Sequence, residues 1–178
     1  QADINNLPFK EGSFDIIICL GVVQHTPSSI RTLTDFFSLL KNGGSLVTDH
    51  YNYSFSRLTK LSDLYRYFLK RLSPEASFRI TEFFVDVFLP LHKLFRNFRI
   101  GQMLLSRFSP VLSYYRAHPE LNDQIQEEWA RVDTHDALTC WYSRMLSKKK
   151  LNHIMRNIGF KNIEVSYGGN GIEARGTK

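Results

Sequence analysis

The chain has 178 residues, of which 43% are hydrophobic and 22% charged. That is enough apolar side chain for a core and excludes wholesale disorder, while two cysteines, Cys19 and Cys140, exclude a disulfide framework. A formal net charge of +6 keeps nucleic acid, anionic lipid and phosphorylated ligands open as partners, and no apolar run approaches the roughly 20 residues of a membrane-spanning helix. Gln1 opens the chain without a charged and apolar leader, so no signal peptide is expected and a reducing, cytoplasmic compartment fits. The abrupt start, a few residues before a strongly patterned strand, is read as that of a C-terminal fragment.

Phe14-Asp-Ile-Ile-Ile-Cys-Leu20 is nearly all apolar and β-branched, the pattern of a strand buried on both faces of a parallel sheet. A short irregular stretch follows Gly21 and ends at His25-Thr26-Pro27. Ser28 or Ser29 can cap a helix running to about Lys41, with Ile30, Leu33, Phe36, Phe37 and Leu40 at helical spacing. Asn42-Gly43-Gly44 is expected to stop that helix through a residue at positive φ. Ser45 to Asp49 reads as the next strand, so the segment is a βαβ crossover.

From about Ser54 to Arg131 the periodicity is helical and the only glycine is Gly101. Prolines at 74, 90, 110 and 119 are expected to divide this stretch into four helices. Arg57 to Arg116 holds eleven Lys/Arg against four Asp/Glu, and Glu120 to Asp136 holds six acidic residues against Arg131 alone. After it, Ser147 can cap a helix with Leu151, Ile154, Met155 and Ile158 on one face, closed by Gly159. Phe160 to Ser166 and Ile172 to Gly176 read as two strands joined by a turn at 168–171, a hairpin.

Three segments carry a resemblance. Asp3-Ile-Asn-Asn-Leu-Pro-Phe-Lys-Glu-Gly-Ser-Phe-Asp15, Val22-Val-Gln-His-Thr-Pro27 and Leu39-Leu-Lys-Asn-Gly-Gly-Ser-Leu-Val47 stand in order at family-like spacing. They resemble the class I S-adenosylmethionine-dependent methyltransferases, of the type 11-like group. The resemblance covers about the first 50 residues well, and the tail from Leu151 to Val165 more loosely. It implies an α/β fold: a partial Rossmann-like methyltransferase sheet, strands four to seven with the last two a hairpin, interrupted by a helical insertion. The expected domains are 1–53 as the C-terminal half of the cofactor-binding core, 54–132 as a helical insertion or lid, and 133–178 as the closing helix and hairpin. The family's glycine-rich loop and the acidic residue that holds the ribose are absent, which fits a start downstream of both. A fragment of this kind is expected to bind the cofactor poorly by itself. Asn42 stands where the family often has Pro, a harmless change.

The resemblance implies S-adenosyl-L-methionine as cofactor and a methyltransferase activity that the fragment alone need not show. It implies that the Asp3 carboxylate accepts from the adenine amino group, that the Ile4 N–H meets a ring nitrogen, and that Leu20 and Gly21 lie beside the methionine portion. Gln24 joins this cofactor-binding set from the following loop. Methyl transfer from a sulfonium needs alignment and a dry site, and a base only for a hydroxyl or protonated amine acceptor. His25 on that loop and His50 at the end of the next strand are candidate bases, against a structural role for each. Asp133-Thr134-His135-Asp136 with Tyr142 is read either as returning the chain to the pocket mouth with His135 or Tyr142 facing substrate, which makes His135 a third candidate catalytic residue, or as a structural junction. No metal site is expected, because neither cysteine has a CxxC partner and the histidines are not at ligand spacing.

The leading reading is methyl transfer to a small-molecule, lipid- or sugar-linked acceptor. The alternative is a non-catalytic α/β module whose helical insertion binds a partner or a membrane surface. A nucleic-acid substrate is disfavoured, since Gly21-Val22-Val23-Gln24 stands where an amino-directed enzyme would carry N/D-P-P-Y/F. Phe78 to Phe108, with Arg79, Lys93, Arg96, Arg99 and Arg107, fits a lid, peripheral contact with an anionic membrane, or a dimer interface. The oligomeric state is left open.

Overall fold

The computed structural model describes residues 2–53, 60–169 and 171–178. The expected boundary at residue 54, and Asn170 in the expected last turn, lie outside the described residues. The chain forms two compact units, Gln1–Ser54 with Tyr142–Lys178, and Phe55–Trp141.

The first unit is α/β. Strand β1 (Phe14–Cys19) leads through a 3-10 turn (Val23–His25) to helix α1 (Ser29–Leu39) and strand β2 (Leu40–His50). Helix α6 (Lys148–Ile158) and the hairpin β3 (Lys161–Gly168) and β4 (Gly171–Thr177) complete it. The sheet order is β1-β2-β4-β3, with β1 parallel to β2 and β4 antiparallel to both its neighbours. The ends of β1 and β2 that follow the chain direction therefore share one edge, where an α/β sheet offers its crevice.

Helix α1 begins where Ser28 accepts from the Arg31 N–H at 3.3 Å, and α6 where Ser147 accepts from the Lys150 N–H at 3.2 Å. Gly159, at φ 116°, closes α6. Leu33 and Phe36 of α1 and Leu151, Ile154 and Met155 of α6 pack on Cys19, Leu46, Val165, Ile172 and Ala174 of the sheet. Helix and strand periods thus bring their apolar faces together.

Two local expectations need correction. Helix α1 ends at Leu39, not near Lys41, because Leu40 is already extended, fully buried and paired with Phe14. The bend at 41–44 then becomes a bulge in β2. A Cβ on Gly44 would meet the Lys41 carbonyl at 2.9 Å and the Asp15 and Phe14 carbonyls at 3.1 Å, so only glycine passes there. The second correction concerns β1, which is buried on one face only. Cys19 enters the core, while Ile16 and Ile18 are 61% and 68% exposed. Both helices of this unit pack on the Cys19 face of the sheet.

Among the described residues the second unit is helical: α2 (Ser62–Leu69), α3 (Pro74–Leu94), α4 (Arg99–Phe108) and α5 (Asp123–Thr139). Pro90 does not divide a helix as expected. It lies inside α3 on the exposed side, where a missing N–H is tolerated by a curving helix. Small residues at four-residue spacing, Ser77, Thr81 and Val85 on α3 and Ala130 and Thr134 on α5, are buried between the two helices. Arg131 of α5 binds Glu82 and Asp86 of α3 at 2.6 and 2.5 Å and Glu127 at 2.7 Å. Asp133 to Asp136, read from sequence as a returning segment, continue α5: Thr134 accepts from the Leu112 N–H at 3.0 Å and Asp133 from the Tyr114 hydroxyl.

Candidate functional site

At the shared edge of β1 and β2 the chain gathers polar side chains that its core excludes. Gly21 turns away from β1 at φ 73°, a conformation open to glycine, with no atom within 4 Å of where a Cβ would stand. Its N–H donates to Asp49 Oδ1 at 2.7 Å, so the buried carboxylate at the end of β2 fixes the turn after β1. Burial, and then the Asp49 charge, push the Cys19 thiol up to about 11, which leaves it inert as a nucleophile.

His25 has a defined role in this network. Its Nδ1 lies 2.9 Å from the Tyr142 carbonyl, which can only accept, so Nδ1 carries the proton. Nε2, 3.2 Å from the Tyr51 hydroxyl, then accepts from it. The two rings also meet edge to face, with centroids 5.3 Å apart. His50, by contrast, is fully buried, with Nε2 3.0 Å from Ser29 Oγ and Nδ1 3.2 Å from the Tyr51 carbonyl. Burial holds its pKa below the ordinary histidine value. Both ring nitrogens serve the fold: His50 ties the start of α1 to the end of β2.

Residues 142–146 join this edge through hydrogen bonds. The Arg144 N–H donates to the Gln24 carbonyl at 3.0 Å, and its guanidinium donates to the carbonyls of Thr26, at 3.2 Å, and Pro27. The Leu146 N–H donates to the Tyr51 carbonyl at 2.9 Å. The Gln24 side chain is wholly buried here, and neither its amide oxygen nor its nitrogen has a partner among the described residues. Burying such an amide without a partner costs about 1–3 kcal/mol.

The structure therefore brings Leu20, Gly21, Gln24, His25 and His50 together. Asp3 and Ile4 stand in a turn before β1: Asp3 is exposed and its Oδ1 accepts from the Asn5 N–H and side-chain amide, both at 2.9 Å, while Ile4 leans on the core. His135 belongs to α5 in the second unit, where its Nε2 is buried beside Phe78 without a partner among the described residues. It lines a cavity of about 220 Å³ with Lys70, Ser77, Thr139 and Trp141.

Sequence reading missed Ser29, the Tyr51 hydroxyl and Arg144. A signal existed for Ser29: of two adjacent serines only one can cap α1, and Ser28 does so. None existed for Arg144, whose partners lie more than a hundred residues away.

Residues 1–48 match a family model described as a methyltransferase domain. An uncharacterized protein of Methanocaldococcus jannaschii is 26% identical over 158 residues, covering 89% of this chain and 56% of that protein. A tRNA U34 carboxymethyltransferase of Campylobacter curvus is 41% identical over 46 residues, 26% of this chain and 15% of that protein. Among solved structures, a SAM-dependent methyltransferase of Thermotoga maritima, described as a possible histamine N-methyltransferase, aligns with TM-score 0.45 and 16% identity. That alignment covers 99% of this chain and 62% of the Thermotoga chain. The chain thus spans less than two thirds of the length of these relatives.

Proposed function

We propose that the chain belongs to the class I S-adenosylmethionine-dependent methyltransferase family, supported by the methyltransferase-domain match over residues 1–48, and that the protein transfers a methyl group to a small-molecule, lipid- or sugar-linked acceptor. The observation that carries this reading is the rim itself: Gly21 held by Asp49 at 2.7 Å at the ends of two parallel strands, beside a buried Gln24 amide with no partner among the described residues. Ligands of open α/β sheets sit at this edge.

S-adenosylmethionine, the family's cofactor, supplies the methyl group when bound. The residues present suit part of such a ligand. Asp3 offers a carboxylate to an amino group, and the Ile4 N–H follows it in the same turn. Leu20 and the bare backbone of Gly21 allow close approach, and the Gln24 amide supplies a donor and an acceptor.

For an acceptor that must lose a proton, His25 is the base. The Tyr142 carbonyl holds the tautomer, and because Nε2 accepts from the Tyr51 hydroxyl the proton travels through it: Tyr51 passes its proton to Nε2 as it takes one from the acceptor. His50 positions Tyr51 and does not exchange protons. His135 stands outside this route.

Calorimetric titration of S-adenosylmethionine into the full-length protein tests the reading. Stoichiometric binding is expected, weakened about tenfold in Asp3→Ala by loss of a hydrogen bond to a charged group. His25→Ala is expected to keep binding and to slow transfer to a hydroxyl or ammonium acceptor by roughly a hundredfold or more. Absence of binding by the wild type overturns the proposal.

A further inference from the structure

Helix α4 is packed inside out. Its one buried side chain is Gln102, whereas Ile100, Met103, Leu104 and Phe108 are each at least 50% exposed. An amphipathic helix of a globular domain turns its apolar stripe inward, so this orientation needs a cause. The cause is a buried polar clip. His92 of α3 lies 2.9 Å from Gln102 Oε1 through Nδ1 and 2.9 Å from Ser109 Oγ through Nε2, and the Gln102 amide donates back to the His92 carbonyl. The clip satisfies every one of these groups and fixes the polar side of α4 against α3.

Helix α3 carries an exposed apolar stripe of its own, on the side opposite His92 and so away from α4. Phe83, Val87, Leu91 and Leu94 follow one another at spacings of four, four and three residues, and all are exposed, Leu94 by 73%. Phe98, between the two helices, is exposed as well.

Charge identifies the occupant of the exposed α4 face. From Val87 to Pro119 the chain carries Lys93, Arg96, Arg99, Arg107 and Arg116 and no Asp or Glu. Lys93 is held by Asp123 at 2.6 Å, but Arg96 and Arg99 are exposed and pair with no carboxylate among the described residues. A second copy of the same face would set arginine against arginine, which opposes self-association. No described helix is long and apolar enough to cross a membrane. Apolar side chains flanked by arginine on short helices instead suit the boundary between headgroups and acyl chains, with the guanidinium groups at anionic phosphates.

We infer that the exposed face of α4, centred on Ile100, Leu104 and Phe108, docks on the surface of an anionic lipid bilayer. Such docking is independent of methyl transfer and stands or falls separately from it.

Sedimentation of the full-length protein with vesicles tests the inference. Binding is expected to equimolar phosphatidylcholine–phosphatidylglycerol vesicles, with at least tenfold weaker binding to phosphatidylcholine alone. Arg96→Glu with Arg99→Glu should weaken anionic-vesicle binding by roughly tenfold or more, since each basic residue near the surface contributes about 1 kcal/mol. Ile100→Glu with Leu104→Glu should weaken it at least as much. All four positions are exposed, so circular dichroism and the thermal midpoint of both variants should match the wild type. Absence of vesicle binding, equal binding to both vesicle types, or wild-type binding by both folded variants would overturn the inference. So would a dimer in light scattering that the Ile100→Glu/Leu104→Glu variant dissolves, which would make the face a self-interface.

Discussion

The sheet unit and the helical unit solve burial in opposite ways. In the sheet unit, Leu33, Leu40, Leu46, Leu151, Met155 and Ile172 are nearly or fully inaccessible, and the buried polar groups Gln24, Asp49 and His50 collect at one strand edge. In the helical unit, Ser77, Thr81, His92, Gln102, Ser109, Gln126 and Thr134 are buried beside a small apolar cluster of Val85, Leu89, Val111 and Ala130. Large side chains such as Phe83, Leu94 and Phe108 meanwhile point outward. Where the core is apolar, polar residues concentrate chemistry at its rim. Where it is polar, the apolar residues become a surface with work of its own.

Substitution separates the two regimes. Leu46→Ala, deep in the sheet core, is expected to cost about 2–5 kcal/mol, read from denaturant unfolding. Leu104→Ala on α4, in the absence of lipid, should change stability by less than about 0.5 kcal/mol. A large loss at Leu104 would mean that the helical unit is packed like the sheet unit.

Asp49→Ala removes the acceptor of the Gly21 N–H and should cost about 1–3 kcal/mol of unfolding free energy. It should also lower the pKa of the Cys19 thiol, measured from the pH dependence of thiol alkylation. An unchanged thiol would show that Asp49 does not act on the rim electrostatically.

Acid probes both units through one residue each. Burial holds His50 and His92 below the ordinary histidine pKa of 6.5. The unfolded chain then binds more protons than the folded one as pH falls through that value. Stability is therefore complete above about pH 7 and declines as pH drops below 6.5. Thermal unfolding at pH 7.5 and 5.5 should show a midpoint lower by several degrees at the acid pH. His50→Gln and His92→Gln should each reduce that difference.

The legibility of the chain follows the same division. The hairpin, the capped helix α6 and the strand β2 could be read because local rules agreed with their final partners: Ser147 and Gly159 bound one helix, and Leu151 and Ile154 face the core that their spacing implies. Gly43 misled because the backbone used 41–44 as a strand bulge once Leu40 had entered the core. Ile16 and Ile18 misled because an apolar run does not say whether both faces of a strand are covered. Gln24 and His25 stood out by position after a strand, but the roles of Ser29, Tyr51 and Arg144 arise only when distant segments meet. On α4 the apolar pattern was plain, and its outward direction was hidden in the pairing of His92 with Gln102.

Amide hydrogen exchange of the full-length protein, with and without saturating S-adenosylmethionine, tests the central claim most directly. The account predicts slowed exchange in residues 3–6 and 20–25, with α4 unchanged. Saturation of the protein without any change at residues 20–25 would contradict it.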